Sequence, residues 1–527
     1  MHPVETFELV FALLMAIIVL HWAAARVGLP PAVALLVGGG ALAFAPGLPV
    51  VTLDPELVLV LFLPPLLMDG AYFTAIAAFR RHIAGILSLA VGAVVFTTFV
   101  VGVVVHCLVP TLPWAACFAL GAIVSPPDAV SARAVLQRVT LPRRLTTLLE
   151  GESLLNDASG LVLFRFAVAA TLTGTFNAGQ AAMSFVMLAL GGILVGGALG
   201  GLWVLLLRHL RDDTLMIAAS MLLCWAAYLS GEAAHVSGVI ATVTAGLVFG
   251  WYQHVIFSAN VRIRGTAFWQ VMVFFFEAFV FILIGFSLRG VLERVGGIET
   301  VATTMALPVF GVVAAVTVAR FVWVFGSDAV LALMNRVGFT AKRPLGPHAA
   351  TVMSWAGMRG VVTLAVALTL PEAMPGRDLM LVTAFVVILV TVMLQGTTLG
   401  LVIRAAALRD EDPPPRLNLG AAEAAMARAQ LSAVEALAHA PDGTLRHPRL
   451  LEAYGLRARQ TSNYSANERT FAENIAAHFD VVLAAVAAGR TELVRLHRAN
   501  AIDDETLHNL ERDLDLEELG AIAAKVE

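Results

Sequence analysis

The sequence predicts an all-α polytopic membrane protein of about thirteen transmembrane helices, followed by a helical cytoplasmic tail. Three observations carry that prediction. Hydrophobic residues make up 59% of the chain and charged residues only 14%, against about 45–50% and about 25% in soluble domains. Apolar runs long enough to cross a bilayer recur through residues 1–405. Beyond them the composition turns polar, with apolar residues returning at helical spacing.

Spans are expected near residues 7–25, 30–47, 55–76, 83–109, 113–136, 145–172, 178–207, 213–230, 234–251, 266–288, 300–334, 348–370 and 378–403. The first has no basic n-region before it, so it is expected to be a span and not a cleaved signal. Basic residues set the orientation. Fourteen of them, from Arg26 to Arg343, follow the odd-numbered spans, while the opposite loops hold only Arg289, Arg294 and Arg377. By the positive-inside rule the N-terminus is outside and the C-terminus is cytoplasmic. The chain then divides into a membrane domain at 1–405, a charged, Pro-rich linker at 406–418 and a helical domain at 419–527, which serves assembly or regulation. A net charge of −4 offers no field for nucleic acid. Cys107, Cys117 and Cys224 lie in apolar runs without disulfide or metal spacing and read as small core residues.

Polar groups are costly in oil, so those inside the spans ask for a reason. Residues 148–166 read LLEGESLLNDASGLVLFRF and bring in Glu150, Glu152, Asn156, Asp157 and Arg165. On a helix Glu152 shares a face with Asn156, and Ser153 shares one with Asp157; the two pairs lie about 100° apart. The result is one oxygen-rich patch, the surface that a hard cation such as sodium takes as its ligand set. In the preceding span, GAIVSPPDAV places Pro126 and Pro127 where they remove two backbone donors and break the helix. A broken helix at membrane depth is tolerated where it is buried or lines a wet cavity, and Asp128, just after the break, is expected to face Asp157.

Asp69 follows another Pro-Pro pair in FLPPLLMDGAY and either lines the ion's route or sits at the cytoplasmic boundary. Glu277 and Arg320 lie mid-span and read as buried structural charges held in an ion pair. Arg359 sits between Gly357 and Gly360, which loosen the twelfth span, and its expected partner is Glu152. Glu232 and His235 fall in a short outer turn, where a solvated loop is the plain reading and a pH sensor the sharper one. The interrupted fifth and twelfth spans cross in opposite directions, as matching segments of two inverted halves do at a transport site.

Taken in order, FLPPLLMDGAY, GAIVSPPDAV, LLEGESLLNDASGLVLF, FFFEAFVFILIGFSL and GMRG resemble the sodium/proton exchanger branch of the monovalent cation:proton antiporters, in its bacterial form. The resemblance implies inverted repeats with two crossed, broken helices, and a homodimer in the membrane lipid. It also implies that Asp157 carries either cation or proton, with Asp128, Ser153 and Asn156 completing the sodium site. It implies a structural pair Glu152–Arg359 and an acid at Asp69. Because Asn156 is neutral where the electrogenic branch has an aspartate, it implies electroneutral exchange. One departure stands out: Pro127 occupies the usual threonine position and removes a hydroxyl from the site.

The expected function is therefore secondary antiport of sodium against protons in the cell membrane, serving cytoplasmic pH and sodium levels. Potassium/proton exchange is the alternative, and an organic-anion carrier on a related fold a more distant one. An intramembrane aspartyl protease would need the two aspartates in a Gly-x-Gly-Asp setting, which SPPD and LLND do not supply. No phosphate-cradling loop and no metal-ligand cluster is present in the sequence, so neither an enzyme nor a cofactor is expected.

Overall fold

In oil a backbone must satisfy its own hydrogen bonds, so long apolar runs without a closed barrel fold as helices. The computed structural model describes residues 3–45, 55–128, 141–175, 177–339, 343–408, 410, 419–439, 444–466, 468–499 and 501–526. In chain order the membrane part comprises α1 (Pro3–Val27), α2 (Pro31–Ala43), α3 (Pro55–Tyr72), α4 (Ile76–Leu108), α5 (Trp114–Val124), α6 (Arg143–Thr173), α7 (Ala178–Leu207), α8 (Asp213–Ala233), α9 (Gly238–Ile256), α10 (Ala259–Val295), α11 (Ile298–Arg336), α12 (Pro347–Trp355), α13 (Val361–Leu368) and α14 (Arg377–Ala406). Among the described residues, nine helices are long and apolar enough to cross a membrane, and α2, α5 and most of α3 are shorter apolar helices. The half-helices α12 and α13 fall on the interrupted run at 348–370. The second half of the run at 113–136 lies outside the described residues.

Among the described residues three packing groups stand out in the membrane part. Helices α4, α5, α6, α11 and α14 enclose a core around Val101, Leu120, Ile123, Val312, Val316 and Val387. Helix α2 lies along α10, and α3 packs with α7, α8 and α9. Small residues allow the close crossings, as they do wherever helices meet in lipid. At the α2–α10 crossing a Cβ on Gly39 would stand 2.3 Å from the Ile282 carbonyl, and one on Gly285 would stand 2.2 Å from that of Leu36. Neither backbone has room for a methyl group.

Among the described residues three helices carry a π-turn, a widening of the backbone common at functional sites, and in α11 it covers Val301–Met305. In α4 it covers Ser88–Ala93, and the Ser88 carbonyl accepts from Trp323 Nε1 of α11 at 3.0 Å. In α14 it covers Thr391–Gln395, beside the interruption between α12 and α13.

The chain separates into two compact units, Met1–Asp412 and Pro413–Glu527. The second holds α15 (Leu419–Leu437), α16 (Pro448–Ala466), α17 (Glu468–Arg498) and α18 (Asp504–Val526). Within it α17 and α18 pair through Arg490, which meets Asp515 at 2.8 Å and also contacts Glu518.

Gly285→Val should disrupt the α2–α10 crossing, where overpacking costs about 1–3 kcal/mol or more. The expected result is a melting point several degrees lower in detergent. Gly201→Ala, with open space around its Cβ position, should leave it unchanged.

Candidate functional site

Helix α5 stops at Val124 because Pro126 and Pro127 cannot donate to the turn before them. Helix α12 stops at Trp355 and α13 begins at Val361, leaving residues 356–360 non-helical. These two interruptions meet. The Asp128 amide donates to the Met358 carbonyl at 2.7 Å. A Cβ on Gly360 would fall 1.7 Å from Asp128 Oδ2, so only glycine allows that carboxylate its position.

Arg359 joins the breaks. Its Nε donates to the Val124 carbonyl at 2.9 Å and its Nη2 to that of Ser125 at 3.1 Å, while Nη1 donates to the Gly357 carbonyl. Its own amide donates to Thr391 Oγ1 at 3.1 Å. The side chain is 1% exposed. The buried guanidinium is thus spread over carbonyls that the broken helices leave without helical partners. Thr98 Oγ1, which donates to Ser125 Oγ at 3.1 Å, ties the first break to α4.

Opposite these breaks runs α6. Asn156, wholly buried, donates from Nδ2 to the Pro127 carbonyl and clamps α6 to the first break. Its Oδ1 is buried with no hydrogen-bond partner among the described residues. Pro127 supplies no hydroxyl, and its carbonyl is engaged by this amide. Asp157 is 9% exposed and lines a cavity of about 40 Å³ together with Asp128, Glu150 and Ser153. Leu63, Leu67 and Gly70 of α3 and Val361 and Val362 of α13 close its sides. At about 10–15 Å³ of such space per water, the cavity has room for a few water-sized groups. A small cation with part of its hydration shell is of that size.

The expected Glu152–Arg359 pair is corrected by the structure. Glu152 instead takes Arg320 of α11 in a two-pronged pair, Nη1 to Oε1 at 2.6 Å and Nη2 to Oε2 at 2.9 Å, with both side chains at most 3% exposed. Arg320 also donates from Nε and Nη2 to the Met353 carbonyl near the end of α12. The reason is geometric: a Cβ on Gly357 would strike Arg320 Cδ at 2.3 Å, so the interruption of α12 leaves Arg320 the space beside Glu152. Arg359 is consumed by the carbonyls. Arg320 was expected as one of two paired structural charges with Glu277; its carboxylate partner is Glu152, and Glu277 lies half-buried on α10.

Asp69 is buried in α3, one residue before Gly70 of the cavity wall, and does not line the cavity. Glu232 ends α8 and forms an ion pair with Arg165 at 3.3 Å. Sequence reasoning had no means to find Thr391, Ser125 or the Met353 carbonyl, because each acts through a long-range contact of an ordinary residue type.

The fold and site together define a class: a membrane protein in which two interrupted segments meet beside buried carboxylates on a third helix. The family model for the transmembrane sodium/hydrogen exchanger matches residues 9–405. An uncharacterized Na⁺/H⁺ exchanger of Mycobacterium tuberculosis is 34% identical over 513 residues, covering 94% of this chain and 92% of its own length. The sodium, potassium, lithium and rubidium/H⁺ antiporter of Bacillus subtilis is 35% identical over 364 residues, 65% of this chain and 53% of the relative. The sodium proton antiporter MjNhaP1 from Methanocaldococcus jannaschii has the same fold, with a TM-score of 0.60 at 20% identity, covering 79% of this chain and 100% of that one. The chain belongs to the sodium/hydrogen exchanger family.

Arg320→Ala should strand the Glu152 carboxylate, a loss of about 3–5 kcal/mol for a broken buried pair. Thermal unfolding in detergent should show a large drop, which Arg320→Met with Glu152→Leu partly restores. A single variant as stable as the parent would rule out the pair as a structural support.

Proposed function

We propose that this protein is a secondary antiporter, not an enzyme, that exchanges a monovalent cation, sodium in the first instance, for a proton at Asp157. The observation that carries this reading is the small cavity in which Asp157 and Asp128 face the same space with Ser153. Two carboxylates and a hydroxyl are oxygen donors, which suit a hard cation and not an organic anion. A bare carboxylate is costly at membrane depth. The site therefore crosses with either a proton or a cation on Asp157, and the two compete for it. Neither ATP nor a cofactor is needed; the gradient of one ion drives the other.

Each neighbour has a part in this reading. Glu152 is neutralised by Arg320 and stays out of the exchange. Asn156 holds α6 against the break and carries no charge, so one cation for one proton moves no net charge. Asp128 is fixed by the Met358 carbonyl and supplies the second ligand. Asp69 sits near the wall as a route residue. The loop arginines support a cytoplasmic C-terminus, with Arg143 at the cytoplasmic end of α6. The family resemblance supports a homodimer. Potassium/proton exchange is the second reading, favoured by Pro127, which leaves the site one side-chain oxygen short, and by the range of cations in the name of the Bacillus relative.

The test is proton flux in inside-out vesicles, read with a pH-sensitive dye after adding sodium, potassium or lithium. Asp157→Asn should abolish exchange while the protein still folds, and clamping the membrane potential should leave the parent's rate unchanged. Exchange at the parent's rate in that variant rejects the site. Because proton and cation compete, half-saturating sodium should rise as pH falls, approaching about tenfold per pH unit where the protonated form dominates. A half-saturating concentration independent of pH would mean that the two ions do not share one carboxylate.

A further inference from the structure

Arg165 stands eight residues beyond Asp157 on α6, and exchange at Asp157 gives it no task. The α6 residues lining the cavity are Glu150, Ser153, Leu154 and Asp157. The space thus runs from Asp157 toward the Arg143 end of the helix. On the other side α6 is packed shut. Past Asp157, Ala158 joins an apolar cluster with Tyr228 of α8 and Val239 and Val243 of α9, none of which lines the cavity. At 100° per residue, Leu154, Ala158 and Arg165 fall at 0°, about 40° and about 20° around the helix. Arg165 therefore tops the same face that bears on α3, α8 and α9.

At that end Arg165 Nη2 lies 3.3 Å from Glu232 Oε2, and Glu232 Oε1 accepts from the Gly238 amide at 3.4 Å. One carboxylate links α6, the last turn of α8 and the start of α9. The connecting turn is well defined: His235 is left-handed at φ 55 and donates its amide to the Glu232 carbonyl, and the Ser237 amide donates to Leu188 of α7. Arg165 is 57% exposed and Glu232 36%. Such a pair is weak. Weakness suits a contact that breaks in every cycle.

We propose that Arg165 and Glu232 form an external latch, joined while Asp157 opens toward the cytoplasm and parted while it opens outward. The inference rests on the proposed exchange at Asp157 and on the cytoplasmic placing of Arg143. It makes these two residues positioning groups that set the balance between the two states and touch neither ion.

The test bridges the pair. Arg165→Cys with Glu232→Cys, in a background carrying Cys107→Ser because Cys107 is exposed, is treated in vesicles with a reducible bifunctional methanethiosulfonate. Cross-linking should lower sodium-driven proton flux at least tenfold, reduction should restore it, and each single-cysteine variant should be insensitive. Cross-linked protein exchanging at the unlinked rate would overturn the latch. A second arm does not depend on cysteines. Glu232→Gln should raise half-saturating cytoplasmic sodium by up to about fivefold, and Arg165→Glu with Glu232→Arg should bring it back. An unchanged value in the single variant overturns the proposal. A parent protein without flux would instead reject exchange at Asp157, so the two failures are distinct.

Discussion

Breaking a helix inside a bilayer leaves carbonyls with nothing to accept from, each at a cost of several kcal/mol. The centre of this protein depends on how that cost is met. Arg359, fully buried, offers its donors to Val124, Ser125 and Gly357, carbonyls drawn from both interruptions. Hydrogen bonds from a charged donor are worth about 1.5–3 kcal/mol each, so the breaks stabilise the arginine as much as it stabilises them. Because Arg359 spans both, the two breaks are held at one place, and the Asp128 amide adds a direct backbone link to Met358. The carboxylate of Asp128 is carried to the cavity by that construction.

The second constraint is electrostatic. Five acidic or amide side chains crowd the region of α6 and the breaks, and they are divided by their partners. Glu152 is matched by Arg320 in a two-pronged, nearly dry pair, whose Coulomb attraction offsets the desolvation of both groups only because the geometry is good. Asn156 is committed to Pro127. What faces the cavity is Asp157, Asp128 and Glu150, with Ser153. The structural charges are thereby separated from the groups left to meet an ion, although all of them lie within a few turns of one another.

Packing separates the parts in another way. Helix α6 packs chiefly against α4 and α5, its partners in the core around Leu120 and Ile123, and presents a face of modest side chains to α3, α8 and α9. Close backbone crossings such as Gly39–Ile282 and Gly196–Ala241 occur within the packing groups. A face built from Leu154 and Ala158 and topped by a weak ion pair can be rearranged at low cost, whereas a glycine crossing cannot. That difference gives α6 a fixed side and a yielding side.

By itself the sequence determined the membrane character, the helical class and the position of both interruptions, because these depend on composition, on run length and on the chemistry of proline and glycine. It also placed Glu152, Ser153, Asn156 and Asp157 on adjoining faces of one helix, since a period of 3.6 residues needs no tertiary knowledge. It did not determine which arginine serves which acid. Both Arg320 and Arg359 are single cations in apolar runs, and nothing local tells them apart. The tertiary structure decided it: crossing the two breaks set Arg359 among unpaired carbonyls, and the gap at Gly357 left Arg320 beside Glu152. The link from Arg165 to Glu232 was beyond reach for the same reason, because 67 residues separate them along the chain and only the packing of α6 on α8 and α9 brings them into contact.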